Sequence, residues 1–171
     1  MAESKVAKLL NEQITKEFYS AYLYLDFANY YDELSLKGYK NWFMVQAQEE
    51  RDHAMLFIQY MQQNDMKITL GTIDKPENKF KDFTDPLKAS LNHEKYVTEL
   101  IHKIYAEAQK ANDFRCMQFL DWFIKEQAEE EDNARTNLQR AELFGQDQKT
   151  LYQLDQEMQT RAYTAPSLVI G

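Results

Sequence analysis

Carboxylates interrupt helical patterns of this chain at positions where a helix bundle needs apolar side chains. Glu17 follows Ile14 on one apolar stripe, and Glu50 lies between Ala47 and Ala54 on the next. Steps of three and four residues place all of these side chains on the face that a bundle buries. Burying an uncompensated carboxylate is costly, so such a glutamate must be protonated, paired with a cation or bound to a metal. This requirement restricts the fold and its chemistry more than composition does.

A second pair of helical patterns carries the same interruption. Glu94 occupies a stripe position in the third pattern, and Gln127 and Glu130 occupy two in the fourth. Thirty-three residues separate Glu17 from Glu50, and the same number separate Glu94 from Gln127. In an antiparallel pair of helices, residues equidistant from the turn lie side by side. The spacing therefore predicts that all four helices place polar side chains at one level of the core.

Capping and turn residues divide the chain into five predicted helices. Good helix formers are abundant, whereas the chain has only 4 Gly and 3 Pro, which favours an all-α fold. The predicted helices run from a Ser4 cap to Tyr31, from near Tyr39 to about 63, from an Asp85 cap onward to about 111, from an Asn112-Asp113 turn to Gly145, and from an Asp147 cap to about Tyr163. The linker from 64 to 82 is long enough to return along the bundle, so that the second and third helices run parallel.

We therefore predict a single domain over 1–171, a four-helix bundle with a long crossover between helices two and three and a short fifth C-terminal helix. The bundle would cover about 4–144, the fifth helix about 147–163 and an apolar tail 164–171. The tail is expected either to pack on a partner subunit or to fray, because chain ends are commonly disordered.

Net charge and cysteine content limit the kinds of partner and the cellular compartment that we expect for this protein. The formal net charge of −8 opposes binding to nucleic acid and favours attraction of cations. No segment has the run of roughly 20 apolar residues that spans a bilayer, so no membrane is expected. The single cysteine, Cys116, excludes an intrachain disulfide framework and is interpreted as a small buried side chain. A cytoplasmic protein is the simplest expectation.

The buried glutamates predict a site for two metal ions. His53 is expected to be the one nearby side chain able to carry positive charge, because the four stripes contain no lysine or arginine. Glu50 and His53 are three residues apart and face the same side of a helix, as in di-iron bundles. We expect His53 and Glu17 to bind one metal and Glu94 and Glu130 the other, with Glu50 able to bridge. Gln127 replaces a carboxylate and would be a weak ligand or a hydrogen-bond donor.

With these residues, the chain resembles the non-haem bacterial ferritins from about Lys5 to Gln159. The matching features are the long crossover, the short fifth helix and the residues Glu17, Tyr24, Glu49-Glu50-x-x-His53, Glu94, Trp122 and Glu126-Gln127-x-Glu129-Glu130. The resemblance implies a ferroxidase that oxidises two Fe(II) with O2 or H2O2 and deposits ferric mineral inside a shell of twenty-four subunits. It does not imply haem, because Asp52 stands where bacterioferritins carry a haem-ligating methionine.

The resemblance also implies two features that the spacing alone leaves open. One is a third iron position formed by Glu49, Glu126, Glu129 and Glu130, for which a solvated acidic patch is the alternative. The other is a role for Tyr24 as hydrogen-bond donor and one-electron source beside the iron pair, for which a core tyrosine is the alternative.

Two other functions remain open at this level. Carboxylates with one imidazole also suit a di-iron oxidase or peroxidase that acts on a small substrate without storing iron. The same polar layer could belong to a redox-inert helical oligomer that binds metal for structural reasons. Iron uptake and assembly size separate these functions.

Overall fold

The computed structural model describes residues 4–170, and five helices form within that range. They are α1 (Lys5–Glu33), α2 (Lys37–Gln63), α3 (Asp85–Lys110), α4 (Phe114–Phe144) and α5 (Gln148–Met158). No strand occurs between residues 4 and 170. The predicted all-α bundle with a short fifth helix is confirmed. Gly171, the last residue of the predicted tail, lies outside the described residues.

Three of the predicted caps form in the structure. The Ser4 hydroxyl accepts the N–H of Ala7 at 3.1 Å and opens α1. The Asp113 carboxylate accepts the N–H of Cys116 at 3.0 Å, and the Asp147 carboxylate accepts that of Thr150 at 3.0 Å. Each bond satisfies a backbone donor that has no partner inside the helix.

Four helix ends differ from the prediction, and the first is that of α1, which ends at Glu33, two residues after Tyr31. Helix α2 begins at Lys37, two residues before Tyr39. Asp85 is the first residue of α3, and Thr84 occupies the cap position. The Asp85 carboxylate instead accepts the N–H groups of Lys81 and Asp82 in the preceding turn. Helix α5 ends at Met158, five residues before the predicted end. There the Asn41 amide donates to the carbonyl oxygens of residues 158, 159 and 161, which fixes a non-helical path.

The crossover between α2 and α3 lies along α1. The Asn11 amide donates to the Lys67 carbonyl at 3.0 Å and accepts the N–H of Thr69 at 2.8 Å. Further along, the Asn78 amide donates to Asp26 at 2.8 Å. The crossover thus starts beside the first half of α1 and reaches its second half. Helix α3 consequently begins at the end of the bundle where α2 begins, and the predicted parallel arrangement of α2 and α3 is confirmed.

The core consists of two apolar clusters. Leu10, Ile14, Phe57, Ile101 and Phe123 belong to the first, which also receives Leu168 and Ile170 of the tail. Tyr24, Phe27, Phe43, Leu87 and Ala141 belong to the second. Along each of the four long helices, the predicted polar residues fall between the two clusters. The fold therefore encloses one polar layer between two apolar ones.

Within residues 4–170, no helix is both long enough and apolar enough to cross a membrane.

Candidate metal centre

The polar residues predicted from the spacing lie together in the layer between the two apolar clusters. Six of them are 6 % exposed or less: Glu17, Glu50, His53, Glu94, Gln127 and Glu130. Helices α3 and α4 place Glu94 and Gln127 at the same level of the core. The Gln127 amide donates at 3.2 Å to both the backbone carbonyl and the carboxylate of Glu94. The 33-residue spacing thus predicted correctly which residues face each other.

Glu17, Glu50 and His53 form a group that could hold a metal ion. One ligand atom from each lies within 4.8 Å of the others, and all three side chains are buried. Within residues 4–170, they are the only group of three such side chains that meets this distance. Glu17 Oε2 is buried without a hydrogen-bond partner, so one lone pair of this group is available to a cation. Two carboxylates and one imidazole suit a hard or borderline divalent ion.

The two carboxylates predicted for the second metal have other partners in this structure. Glu94 accepts hydrogen bonds from the Tyr24 hydroxyl and the Gln127 amide. Glu130 Oε2 accepts the Gln46 amide at 3.0 Å. Burial, followed by the charge of Glu50, raises the pKa of each carboxyl. They belong to the same layer but not to the three-ligand group.

Two glutamines that the sequence interpretation missed hold the carboxylates in place. The Gln13 amide donates to Glu17 at 2.8 Å, and the Gln46 amide donates to Glu50 at 3.0 Å. Each glutamine precedes its glutamate by four residues, so the pair lies on one helix face. Gln13 and Gln46 are themselves 33 residues apart, which is a signal that could have identified them.

Burial favours protonation of several side chains of this layer in the metal-free protein. Burial, followed by the charge of Glu50, raises the pKa of Glu17 and of Glu130 to about 8. Burial opposes protonation of His53, but its hydrogen bond and charge interaction with Glu50 prevail and raise its pKa to about 10. The same contact with His53 overcomes the effect of burial on Glu50 and lowers the pKa of that carboxyl. A His53–Glu50 ion pair is thus surrounded by protonated carboxyls at neutral pH.

An acidic opening lies next to this layer between α2 and α4. A cavity of about 360 Å³ is lined by side chains that include Glu49, Glu126, Glu129, Glu130 and His53. Glu126 is half-buried, Glu129 is exposed, and the two do not form a three-ligand group with Glu49 or Glu130 in this structure. The residues predicted for a third metal therefore share one cavity but do not converge on one point.

An arginine from the C-terminal segment enters the same opening. Arg161 Nη2 lies 2.5 Å from Glu49 Oε2, and the arginine side chain is only 14 % exposed. The expectation that His53 is the only nearby group able to carry positive charge is therefore wrong. No sequence signal pointed to Arg161, since it follows α5 in an irregular segment and belongs to no helical stripe.

Tyr24 lies beside the polar layer as predicted, fully buried, and donates a hydrogen bond to Glu94. Burial, followed by the charge of Glu94, raises the pKa of its hydroxyl well above the usual value. Tyr24 therefore acts as a neutral hydrogen-bond donor toward Glu94.

Fold and site together define a class: four-helix bundles with a long crossover and a buried carboxylate and histidine site for metal. A family model described as "Ferritin-like domain" matches residues 7–144. A bacterial non-haem ferritin of Campylobacter jejuni is 35% identical over 91% of this chain and 93% of that protein, and one of Staphylococcus haemolyticus is 31% identical over 95% and 98%. The chain belongs to the ferritin family, whose members store iron, and its relatives here are the non-haem bacterial ferritins.

Solved structures agree with this assignment. An Archaeoglobus fulgidus ferritin, engineered to a closed form, superposes with a TM-score of 0.92 at 35% identity, over 96% of this chain and 100% of that one. The open-pore ferritin of the same archaeon gives a TM-score of 0.91 at 36% identity, over 94% and 98%. At this identity and coverage, the likeness extends to the whole fold, including the crossover and α5.

Proposed function

We propose that the chain is a ferroxidase of an iron-storing shell, with Fe(II) as the substrate of the buried layer. The observation that carries this proposal is the group formed by Glu17, Glu50 and His53, together with the buried Glu17 oxygen that has no hydrogen-bond partner. Membership of the ferritin family selects iron from the ions that such ligands suit.

In the proposed site, His53 and Glu17 bind one Fe(II), Glu94 and Glu130 bind the other, and Glu50 bridges them. Glu94 would have to turn from Tyr24 to complete the second position, whereas Glu130 can keep the bond from Gln46 to its Oε2 and offer its other oxygen. Gln127 remains a neutral donor beside Glu94. Four carboxylates balance the charge of two divalent ions, and the ligands give up their protons when the ions bind.

Each Fe(II) loses one electron in the proposed reaction. A pair thus supplies the two electrons that convert O2 and two protons to H2O2, or H2O2 and two protons to water. Tyr24, which already donates to Glu94, is positioned to hold a proton at this edge of the layer or to supply one electron. We propose that the ferric product leaves through the acidic opening, where Glu49, Glu126, Glu129 and Glu130 would form a transient third iron position.

We further propose that the chain folds as one domain, assembles into a shell of twenty-four copies in the cytoplasm and holds the mineral inside it. The family assignment supports this assembly, and the net charge of −8 suits attraction of cations. Haem is not part of the proposal.

The test combines iron oxidation with particle size. Anaerobic protein given Fe(II) and then air should oxidise about two irons per chain rapidly, and Glu50→Ala should abolish this phase while an exposed control, Glu142→Ala, keeps it. Gel filtration should give a mass of hundreds of kilodaltons and not 20.3 kDa. Oxidation that stops after the first two irons would favour a non-storing oxidase. Binding without oxidation would favour a redox-inert metal protein.

A further inference from the structure

The C-terminal segment after α5, residues 160–170, runs back over the acidic opening between α2 and α4, and we call it the strap. The Asn41 amide donates to the Arg161 carbonyl at 2.9 Å, and Trp122 Nε1 donates to the Ser167 hydroxyl at 2.9 Å. Leu168 and Ile170 then pack against the first apolar cluster. The strap is therefore tied to its own chain along its length, which holds Arg161 at a fixed place.

The Arg161 guanidinium has a defined set of partners in the opening. It donates to Glu49 at 2.5 Å, to Gln46 Oε1 at 2.8 Å and to the Trp42 carbonyl at 3.2 Å. Its guanidinium carbon also lies 4.1 Å from the centre of the Trp42 ring. A planar group with only donors, held on one face by an aromatic ring, has little freedom to adopt another orientation.

The contact with Gln46 determines how that amide is oriented. A guanidinium has no acceptor, so the amide oxygen of Gln46 must face Arg161. The amide nitrogen then faces the polar layer, where it donates at 3.0 Å both to Glu50 of α2 and to Glu130 of α4. A flipped amide would place its oxygen against two carboxyl oxygens and its N–H groups against the guanidinium. Gln46 is 3 % exposed, so water cannot readily compensate for that arrangement.

We propose that Arg161 is a positioning residue for the metal centre, acting through Gln46 to hold Glu50 and Glu130 at a fixed separation across α2 and α4. The inference rests on the proposed function, because it assumes that these two carboxylates bind cations. Hydrogen bonds to ligating carboxylates orient them, and loss of such partners typically lowers metal affinity about 10- to 100-fold.

The test uses the complete protein and Co(II), whose affinity and visible spectrum report ligand geometry without any oxidation of iron. Arg161→Met, which keeps the side-chain stem over Trp42, should weaken Co(II) binding about tenfold and change the spectrum. Gln46→Met should have a similar effect. Because Arg161 acts through Gln46, the double variant should lose no more than the worse single variant.

Two further variants separate positioning from simple attachment of the strap. Arg161→Lys retains a donor that has no acceptor, and it should restore most of the affinity and the native spectrum. Ser167→Ala removes the bond to Trp122 without touching Arg161, and it should leave Co(II) binding unchanged. Gel filtration and helicity establish that each variant folds. If Arg161→Met does not fold, Arg161→Gln, whose amide can present either a donor or an acceptor to Gln46, replaces it in the comparison with Arg161→Lys and Ser167→Ala.

Several outcomes would overturn the inference: Co(II) binding that is the same in Arg161→Met as in the wild type, additive losses in the double variant, or a loss in Ser167→Ala equal to that in Arg161→Met. Failure of the proposed function looks different. A wild type that binds Co(II) with the predicted sensitivity to Arg161 but does not oxidise Fe(II) would refute the ferroxidase and leave the positioning role standing.

Discussion

Burial of Glu17 has an energetic cost, and the same side chain is a proposed metal ligand. Its carboxyl is 1 % exposed, and burial together with Glu50 raises its pKa to about 8. Substitution by glutamine keeps the shape and the hydrogen bond from Gln13 but removes the ionisation. We expect Glu17→Gln to leave the free energy of unfolding of the metal-free protein nearly unchanged at pH 5 and to raise it by roughly 2 to 4 kcal/mol at pH 8.

The same substitution should sharply weaken binding of Co(II) at the group with Glu50 and His53, since one charged ligand is lost. Urea unfolding at the two pH values and Co(II) titration measure the two effects. Glu142→Gln, on an exposed part of α4, is the matched control and should change neither. A Glu17→Gln variant that is less stable than the wild type at pH 8 would contradict this account.

Tyr24 offers a second prediction at this scale. Its hydroxyl donates to Glu94, and Ser90 lies at 3.5 Å as a further partner. Tyr24→Phe should reduce the free energy of unfolding by about 1 to 2 kcal/mol, because Glu94 loses a buried donor. It should also slow Fe(II) oxidation if the proposed role is right. Tyr152→Phe, at a 64 % exposed position, should affect neither stability nor oxidation.

The residue scale also shows what the sequence can reveal about the site. Glu17, Glu50, Glu94 and Gln127 were predictable because helices impose a fixed period, and a polar residue at an apolar position is conspicuous. Gln46 was accessible by the same spacing but looked like an ordinary helix residue. Arg161 was not predictable, because its contact joins an irregular segment to residues more than 110 positions away.

At the scale of elements, α5 is attached to the bundle through a cap on a different helix. The Asp155 carboxylate is 5 % exposed and accepts the N–H groups of Gly38 and Tyr39 at 2.8 and 3.0 Å, where α2 has no side-chain cap of its own. A Cβ at position 38 would lie 1.6 Å from the Asp155 carbonyl oxygen, so only glycine permits this approach.

Asp155→Ala should therefore lower the free energy of unfolding by about 1 to 2 kcal/mol and increase hydrogen exchange in α5 and in the first turn of α2. Gln153→Ala, on the exposed face of α5, is the control. Exchange that rises uniformly along the bundle, with no preference for these two segments, would contradict a local capping role.

The existence and order of the five helices were easier to predict than the residues at which they begin and end. Capping residues marked the starts of α1, α4 and α5 correctly because their side-chain bonds are local. The end of α5 was misplaced, since a distant side chain, Asn41, takes up its last carbonyl groups. The tail was expected to meet a partner or to fray, yet Leu168 and Ile170 pack on the chain itself.

For the whole molecule, the raised pKa values determine how stability depends on pH. Glu17 and Glu130 keep their protons up to about pH 8 when folded, whereas an ordinary glutamate releases them near 4.5. His53 likewise keeps its proton up to about pH 10 instead of 6.5. Because the folded state holds more protons than the unfolded state, stability conferred at low pH is lost as pH rises through these values.

Calorimetry of the metal-free protein should accordingly show a transition temperature that falls between pH 5 and pH 9. The Glu17→Gln variant should show a smaller fall, which separates this layer from general surface repulsion. A transition temperature that rises with pH over this range would refute the proton assignment.

Cation binding should reverse the same protonation. At pH 7 the layer holds protons on Glu17, Glu130 and His53, whose pKa values lie above 7. Two Zn(II) ions per chain should release at least about three protons at pH 7 and fewer at pH 9. A pH-stat titration in weakly buffered solution counts them, and Glu50→Ala, which should not bind the ions, is the control. Binding without proton release would mean that the layer is ionised before the metal arrives.

The division of the polar layer between two helical hairpins has a consequence for the order of folding. Glu17, Glu50 and His53 lie on the hairpin of α1 and α2, whereas Glu94, Gln127 and Glu130 lie on that of α3 and α4. Each hairpin is local in sequence and can form quickly, but the carboxyls lose water only when the two hairpins dock. Docking of the two hairpins should therefore limit the refolding rate. Refolding should be faster at mildly acidic pH, where the carboxyls are protonated, or in the presence of divalent cations that bind them.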